Sequence, residues 1–327
     1  MNPSLILRIP ATTANLGPGF DLFGLALSLY NTILFDFDAG ADFRLVDTEG
    51  RALPIAPEDN LIRTAYEHMY HKLGGGKAPA WNAVVDAATA PGKGFGSSAM
   101  AVVAGVHLAW ALLRSGGIDS LVSSVEEGFR PETHSDEIAG FLDLEPHPDN
   151  VVPARVGGWV FCSDTRTVLR STLLACAGSI LIPDYSISTE KSRQSLPLQI
   201  SREDTLANMR GCLLWLEYIH SGRIDLLEQA LASDRLHEPY RTPSLPGYQA
   251  MKQAVLREGC VGMTLSGSGP GIIVYFDRTR QEQLESPLRA LALEHIGPAT
   301  IVHFCTPDPD GLVYLKAMPG ATAPLRA

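Results

Sequence analysis

The sequence predicts an α+β protein of about two domains, and three observations lead there. Its 327 residues fill about two domains on the usual size prior, and a 45% apolar fraction is enough for a sizeable core. Strand-like and helix-like segments alternate irregularly, with several hairpin-like neighbours, which argues against a doubly wound parallel sheet. No G-x-G-x-x-G occurs, so a dinucleotide-binding fold fails at its first requirement. There is no repeat with a period of about 20–50 residues and no low-complexity linker.

The elements follow in order. "SLILRIP" (4–10) and "NTILFDF" (31–37) read as strands, and "DFRLVDT" (42–48) is expected to pair antiparallel with the second. Asp59 is expected to cap a helix from Asn60 to about Leu73, which stops at "GGG" (74–76). "WNAVVDAAT" (81–89) is a strand running into a glycine loop. Ser97 or Ser98 then opens the most apolar helix of the chain, which ends near "SGG" (115–117). Helices are expected over 119–129 and 133–144. "PHPDNVVP" (146–153) is too rich in proline and polar residues to continue the second, and reads as a rigid turn. "GGWVFCSD" (157–164) returns to strand. The second half, from near residue 170, supplies strands in "SILIPD" (179–184) and "VGMTLSGSGPGIIVYF" (261–276). Helices are expected over 203–221, 223–234, 246–258 and 280–295. "TIVHFCT" (300–306) is expected as the last core strand.

Charge and cysteine usage exclude several functions. Net charge is −10 with both signs interspersed, so the basic stripe of a nucleic-acid binder is missing. The five cysteines are widely spaced with no C-x-x-C, which disfavours a zinc site or redox dithiol and fits reduced thiols in the cytoplasm. "MNPSLILRIP" has no cationic segment followed by a long apolar run, so no signal peptide is read. Residues 99–113 are apolar but shorter than the ~20 residues of a membrane span, and His107 lies among them. They read as a buried core helix.

The sharpest chemical signal is "PGKGFGSSAM" (91–100). The first turn of a helix leaves N–H groups unpaired at the positive end of its dipole, which favours an anion. Glycines let the preceding backbone curl until several N–H groups converge on phosphate oxygens. Ser97 and Ser98 add hydroxyls, and Lys93 is expected to add a mobile cation above the site. A tight turn with a serine cap explains the same residues about equally well. The stretch is not a G-x-x-x-x-G-K-[ST] loop. A second glycine cluster, "SGSGPGI" (266–272), lies between two strands and allows close backbone approach or a bulge.

A third stretch, "PATTANLGPGFDLFGLAL" (10–27), changes the weighing. With "PGKGFGSSA" and "SGSGPGI" it resembles, in order, the three motifs of the galactokinase, homoserine kinase, mevalonate kinase and phosphomevalonate kinase (GHMP) superfamily. "HPDNVVPARVGG" (147–158), "ISTEKSR" (187–193) and "SDRLHEPYR" (233–241) make it similar to the homoserine kinase family within it. The resemblance runs from Pro10 to about Phe304. It implies the two-domain GHMP kinase fold: an N-terminal ribosomal protein S5 domain 2-like domain over 1–168, and a C-terminal α+β, ferredoxin-like domain over 169–327. ATP would lie between them, with Mg2+, and its γ-phosphoryl group would pass to the side-chain hydroxyl of L-homoserine in threonine biosynthesis. Nucleic-acid and membrane partners are not expected. Relatives are often dimers, so the resemblance admits a homodimer, although no interface is legible in the residues.

Carried over residue by residue, the resemblance implies ATP contacts at Pro91, Gly92, Lys93, Gly94, Phe95, Gly96, Ser97, Ser98 and Asn60. It implies that Asp21 receives the substrate ammonium and that Arg193 and Arg241 hold the carboxylate. Asn15, His147, Asp149, Thr189 and Gly267 complete the substrate wall. Some superfamily relatives carry an aspartate base near 147–150. The resembling residue here is Asn150, which cannot take a proton, so no dedicated strong base is expected. Ser98 and Glu145 are the expected protein ligands of Mg2+, with Glu137 as the alternative. Read without the family, Asn15 and Asp21 make an Asx turn, each arginine a surface ion pair, and Thr189 a helix cap. Three departures from the family pattern stand out: Phe95 for a leucine-like residue, Pro146 for glycine, and Gly271 for serine or threonine.

Overall fold

Two antiparallel-rich sheets sharing an apolar core organise the computed structural model, which describes residues 4–37, 40–163, 168–172 and 176–316. The first half runs β1 (Ser4–Ala14), β2 (Phe23–Asp36), β3 (Leu45–Val46), α1 (Leu61–Lys72), β4 (Asn82–Asp86), α2 (Ser97–Ser115), α3 (Ile118–Ser124), α4 (Ser135–Leu144), α5 (Pro148–Val156), β5 (Trp159–Cys162) and β6 (Val168–Ser171). The second half runs β7 (Cys176–Ile182), α6 (Thr189–Gln194), α7 (Arg202–Ser221), α8 (Ile224–Leu231), α9 (Glu238–Arg241), α10 (Tyr248–Arg257), β8 (Gly262–Leu265), β9 (Ile272–Asp277), α11 (Gln281–His295), β10 (Ile301–Cys305) and β11 (Val313–Leu315).

The first sheet has seven strands. Its main path is β11-β1-β2-β4-β3, with β5 paired to β2 and β6 to β5. β2 is long enough to serve two partners: its start pairs with β5 and its end with β4. The β1–β2 register shifts between Pro10 and Ala11, where proline lacks the N–H of a regular ladder. The second sheet is β10-β7-β9-β8, wholly antiparallel.

The period of two along β7 divides its side chains between two cores. Cys176, Ile180 and Ile182 join Leu16, Phe23, Trp159 and Trp215 in a core that spans both sheets. Ala177 and Leu181 face α10 and α11. A third core lies beneath α1, α2 and α5. α2 is apolar nearly all round because it is packed nearly all round. Its length and composition would let it cross a membrane, but 72% of its apolar window is buried in the fold.

Several expectations need correction. The 42–48 segment forms only the two-residue β3, which pairs parallel with β4 and not antiparallel with β2. α1 is capped by Asn60, whose side chain accepts from the Arg63 amide at 3.0 Å; Asp59 lies in the 3-10 turn just before. The expected turn at 146–153 is a helix, α5, because Pro148 occupies its first turn, where a missing N–H costs nothing. Pro153 stands inside it. The strand at 301–305 is not the last: β11 returns to pair with β1. The first sheet therefore draws on residues on both sides of 168 and on 313–315.

Candidate active site

A cavity of about 640 Å³ opens where the two sheets meet. One end is apolar, lined by Leu45, Leu53, Pro54, Ile62 and Val85. The middle is the glycine loop and the first turn of α2. The far end carries Asn15, Asp21, Glu145, His147, Asp149, Asn150, Arg193, Arg241 and Gly267.

The glycine loop is shaped by left-handed backbone. Gly92, Gly94 and Gly96 have φ of 75°, 87° and 73°, a region that costs glycine little. At Gly96 a Cβ would also stand 2.0 Å from the Thr12 hydroxyl. Pro91, Gly92, Gly94, Gly96, Ser97 and Ser98 all line the cavity, and Ser98 is exposed. The amides of this first turn have no acceptor within the helix, so the cavity wall has the character of an anion cradle.

Lys93 departs from expectation. Its ammonium donates to the carbonyls of Pro183, Asp184 and Tyr185, each at 2.8 Å, and the residue is buried. It is a clamp between the glycine loop and the end of β7, not a mobile cation above the site. Phe95 is buried in the shared core and also stays off the cavity wall. Its ring fills the space a side chain at 271 would need: a Cβ on Gly271 would meet the ring at 2.4 Å and the Lys93 carbonyl at 2.3 Å. Phe95 and the Lys93 carbonyl together leave room only for glycine at 271.

The loop joining β1 and β2 holds three non-glycine residues at positive φ: Asn15 (72°), Leu16 (49°) and Asp21 (56°). Such strain persists where surrounding bonds over-determine it. The buried Asn15 supplies two of them, accepting from the Asp21 amide at 3.0 Å and donating to the Gly267 carbonyl at 2.9 Å. The second glycine cluster therefore props up both the charged end and the glycine loop: Gly267 also accepts from Arg241 at 3.2 Å, and Ser266 donates to the Gly94 carbonyl at 2.6 Å.

Asp21 and Arg193 pair with each other in a fork of 2.8 and 3.2 Å. Arg193 sits on α6. Thr189 occupies the first position of α6 and Ser188 is its cap, so Thr189 is not the cap; its side chain lies outside the described set. Arg241 is only 5% exposed and has no carboxylate at ion-pair distance among the described residues. Burial, then Arg193, pull its guanidinium down to about 10, which leaves it charged at neutral pH.

On α5, Asn150 accepts from Thr12 at 2.8 Å. Asp149 is almost wholly buried, and burial, then Asp21 and Glu145, push its carboxyl up to about 7. Glu145 Oε1 contacts the His147 ring at 3.0 Å, leaving its other oxygen without a hydrogen bond among the described residues. Asn60 lines the apolar end, with its amide committed to the Arg63 N–H and the Phe43 carbonyl.

Glu137, the alternative metal ligand, is excluded by its surroundings. It is fully buried away from the cavity, bonded to His107 at 2.8 Å and Arg155 at 2.6 Å. Burial alone would raise its carboxyl, yet His107 and Arg155 hold it down at about 2. Sequence reasoning also missed residues. Thr12 lies within the first motif, but nothing in its strand signals that its hydroxyl meets Asn150. The apolar end of the cavity has no motif at all.

Two joined sheets, an anion cradle at a glycine-led helix and a charged pocket beyond it define a small-molecule kinase of the GHMP type. The GHMP kinases C terminal family matches residues 215–292. A homoserine kinase from Nostoc sp. is 31% identical over 320 residues, covering 94% of this chain and 98% of the relative. One from Gloeobacter violaceus is 35% identical over 283 residues, covering 82% and 86%. The chain belongs to the homoserine kinase family. Among solved structures, a homoserine kinase from Cytophaga hutchinsonii superposes with a TM-score of 0.78 at 23% identity, covering 96% of this chain and 98% of that one. The mevalonate kinase of Methanococcus jannaschii gives 0.66 at 12% identity, covering 92% and 98%. At such identities these two bear on the fold alone.

Proposed function

We propose that the protein transfers the γ-phosphoryl group of ATP to the side-chain hydroxyl of L-homoserine, giving O-phospho-L-homoserine for threonine biosynthesis. The observation that carries this reading is a single cavity holding an anion cradle at its middle and both Asp21 and two arginines at one end. ATP is read with its base in the apolar end and its phosphates on residues 91–99. Homoserine is read with its ammonium on Asp21 and its carboxylate on Arg193 and Arg241, exchanging the internal Asp21–Arg193 pair for its own opposite charges. A guanidinium fork matches a carboxylate bidentately. Asn15, Gly267, His147 and Asp149 shape the wall around it.

Phosphoryl transfer needs positioning and charge neutralisation more than covalent help. Asn150, oriented by Thr12, holds polar atoms near the transferred group without taking a proton, and the hydroxyl proton passes to the phosphate. The donor set also fits Mg2+: hard oxygens from Ser98 and Glu145 line one cavity, one Glu145 oxygen is uncommitted, and the described residues hold no three-ligand cluster. That suits an ion carried mainly by nucleotide phosphates, whose charge it neutralises when bound. Five free cysteines, four of them buried, support a reducing compartment such as the cytoplasm.

The test is ADP release with Mg-ATP and L-homoserine beside serine, threonine, mevalonate and galactose. Turnover confined mainly to homoserine is expected. Turnover mainly with an alcohol lacking an amino-acid end would remove the carboxylate role of Arg193 and Arg241.

A further inference from the structure

Arg241 poses a physical problem that the proposed substrate contacts do not solve. A nearly buried guanidinium is destabilised by burial and by Arg193; Asp21, Asp234 and Asp149 stabilise it from a distance, but none of them pairs with it directly among the described residues. Its hydrogen bonds are long: 3.4 Å to the Ser192 carbonyl, 3.2 Å to the Gly267 carbonyl and 3.5 Å to His237 Nδ1. Asp21 pairs with Arg193 alone, so among the described residues no carboxylate bridges the two guanidinium groups.

Phe20 is a neighbour the two arginines share. The Arg241 guanidinium carbon lies over its ring at 5.3 Å from the centroid, and that of Arg193 at 5.9 Å. An aromatic face carries negative charge density and attracts a cation within about 6 Å. The ring is itself held. It stacks on His237 at 5.3 Å and 25°, and His237 is fully buried and donates from Nε2 to the Gly17 carbonyl at 2.9 Å. The next residue, Asp21, is fixed by Asn15. Phe20 is not among the residues lining the cavity.

We infer that Phe20 is a positioning residue for substrate selection: its ring holds Arg193 and Arg241 together as one receptor for the amino-acid carboxylate. It acts through the arginines and touches neither substrate nor ATP. The inference rests on the carboxylate reading of those arginines.

Three variants separate the two. Phe20→Leu keeps an apolar side chain and removes the aromatic face. It is expected to raise the KM for homoserine roughly tenfold, with the KM for ATP and the thermal midpoint nearly unchanged. Phe20→Tyr keeps the face and is expected to restore the homoserine KM. Arg241→Ala raises the homoserine KM by itself, and adding Phe20→Leu to it falls well short of the product of the single effects, since half of the ring's task has gone. If Arg241→Ala raises the homoserine KM and Phe20→Leu does not, the role of Phe20 is overturned and the carboxylate reading stands. If Arg241→Ala leaves the homoserine KM unchanged, the carboxylate reading itself falls. A Phe20→Leu enzyme that loses thermal stability and weakens both KM values alike has lost packing, which also overturns the inference.

Discussion

Asp149 shows how much a single buried carboxyl can couple to the whole site. With its folded-state pKa near 7, set by burial, Asp21 and Glu145, it binds a proton that the unfolded chain has released above about 4. The native state therefore holds more protons than the unfolded state between those values, and the empty enzyme loses stability as pH rises from about 4 to about 7. Asp149→Asn mimics the protonated form at every pH. Its thermal midpoint is expected to match the parent near pH 4 and exceed it by roughly 5 °C at pH 8, while activity with homoserine falls. Thermal scans across that pH range check this, and parallel curves for the two proteins would refute it. None of this was legible from "HPDN", which reveals the residue but not the neighbours that crowd it. Asn15, Asp21, Arg193 and Arg241 were legible as candidates because their chemistry is written in their side chains. Phe20 was not, because an aromatic beside a glycine turn reads as packing.

At the level of elements, the glycine motifs were readable and their partners were not. The loop at 91–96 and the opening of α2 followed from local backbone rules. α5 was hidden because proline usually signals a break, yet Pro148 falls in the first turn, where the rule reverses. β3 was misplaced because two residues cannot specify a partner; tertiary packing chose β4. The pairing of Phe95 with Gly271 is a similar long-range fact. Gly271→Ser is expected to cost about 2–3 kcal/mol of stability by overpacking and to weaken ATP binding through the loop. Phe95→Leu in the same chain is expected to recover part of that loss, because it clears the ring but not the Lys93 carbonyl. Denaturant titration of the two single variants and the double variant measures the coupling, and strict additivity would count against the clash with the Phe95 ring.

Across the whole molecule, the chain closes on itself through β11, and a buried polar network ties that closure to the helices behind the site. His107 on α2 bonds Glu137 of α4 through Nδ1 and the Tyr314 hydroxyl of β11 through Nε2, each at 2.8 Å. Arg155, at the end of α5, completes it with Glu137 at 2.6 and 3.1 Å, and the His107, Glu137 and Arg155 side chains are fully buried. Burial lowers the His107 pKa against the opposing pull of Glu137, and Arg155 pairs with the same carboxylate. The network ties α2, α4 and β11 to the far end of α5, the helix that presents Asp149 and Asn150. Glu137→Gln would leave the Arg155 cation buried without its counter-ion, a loss of about 3–5 kcal/mol. Urea unfolding is expected to show that loss, while the enzyme that remains folded keeps its KM for ATP and its dependence on magnesium concentration. An altered magnesium dependence at unchanged stability would return Glu137 to the metal site and remove it from the network's structural role.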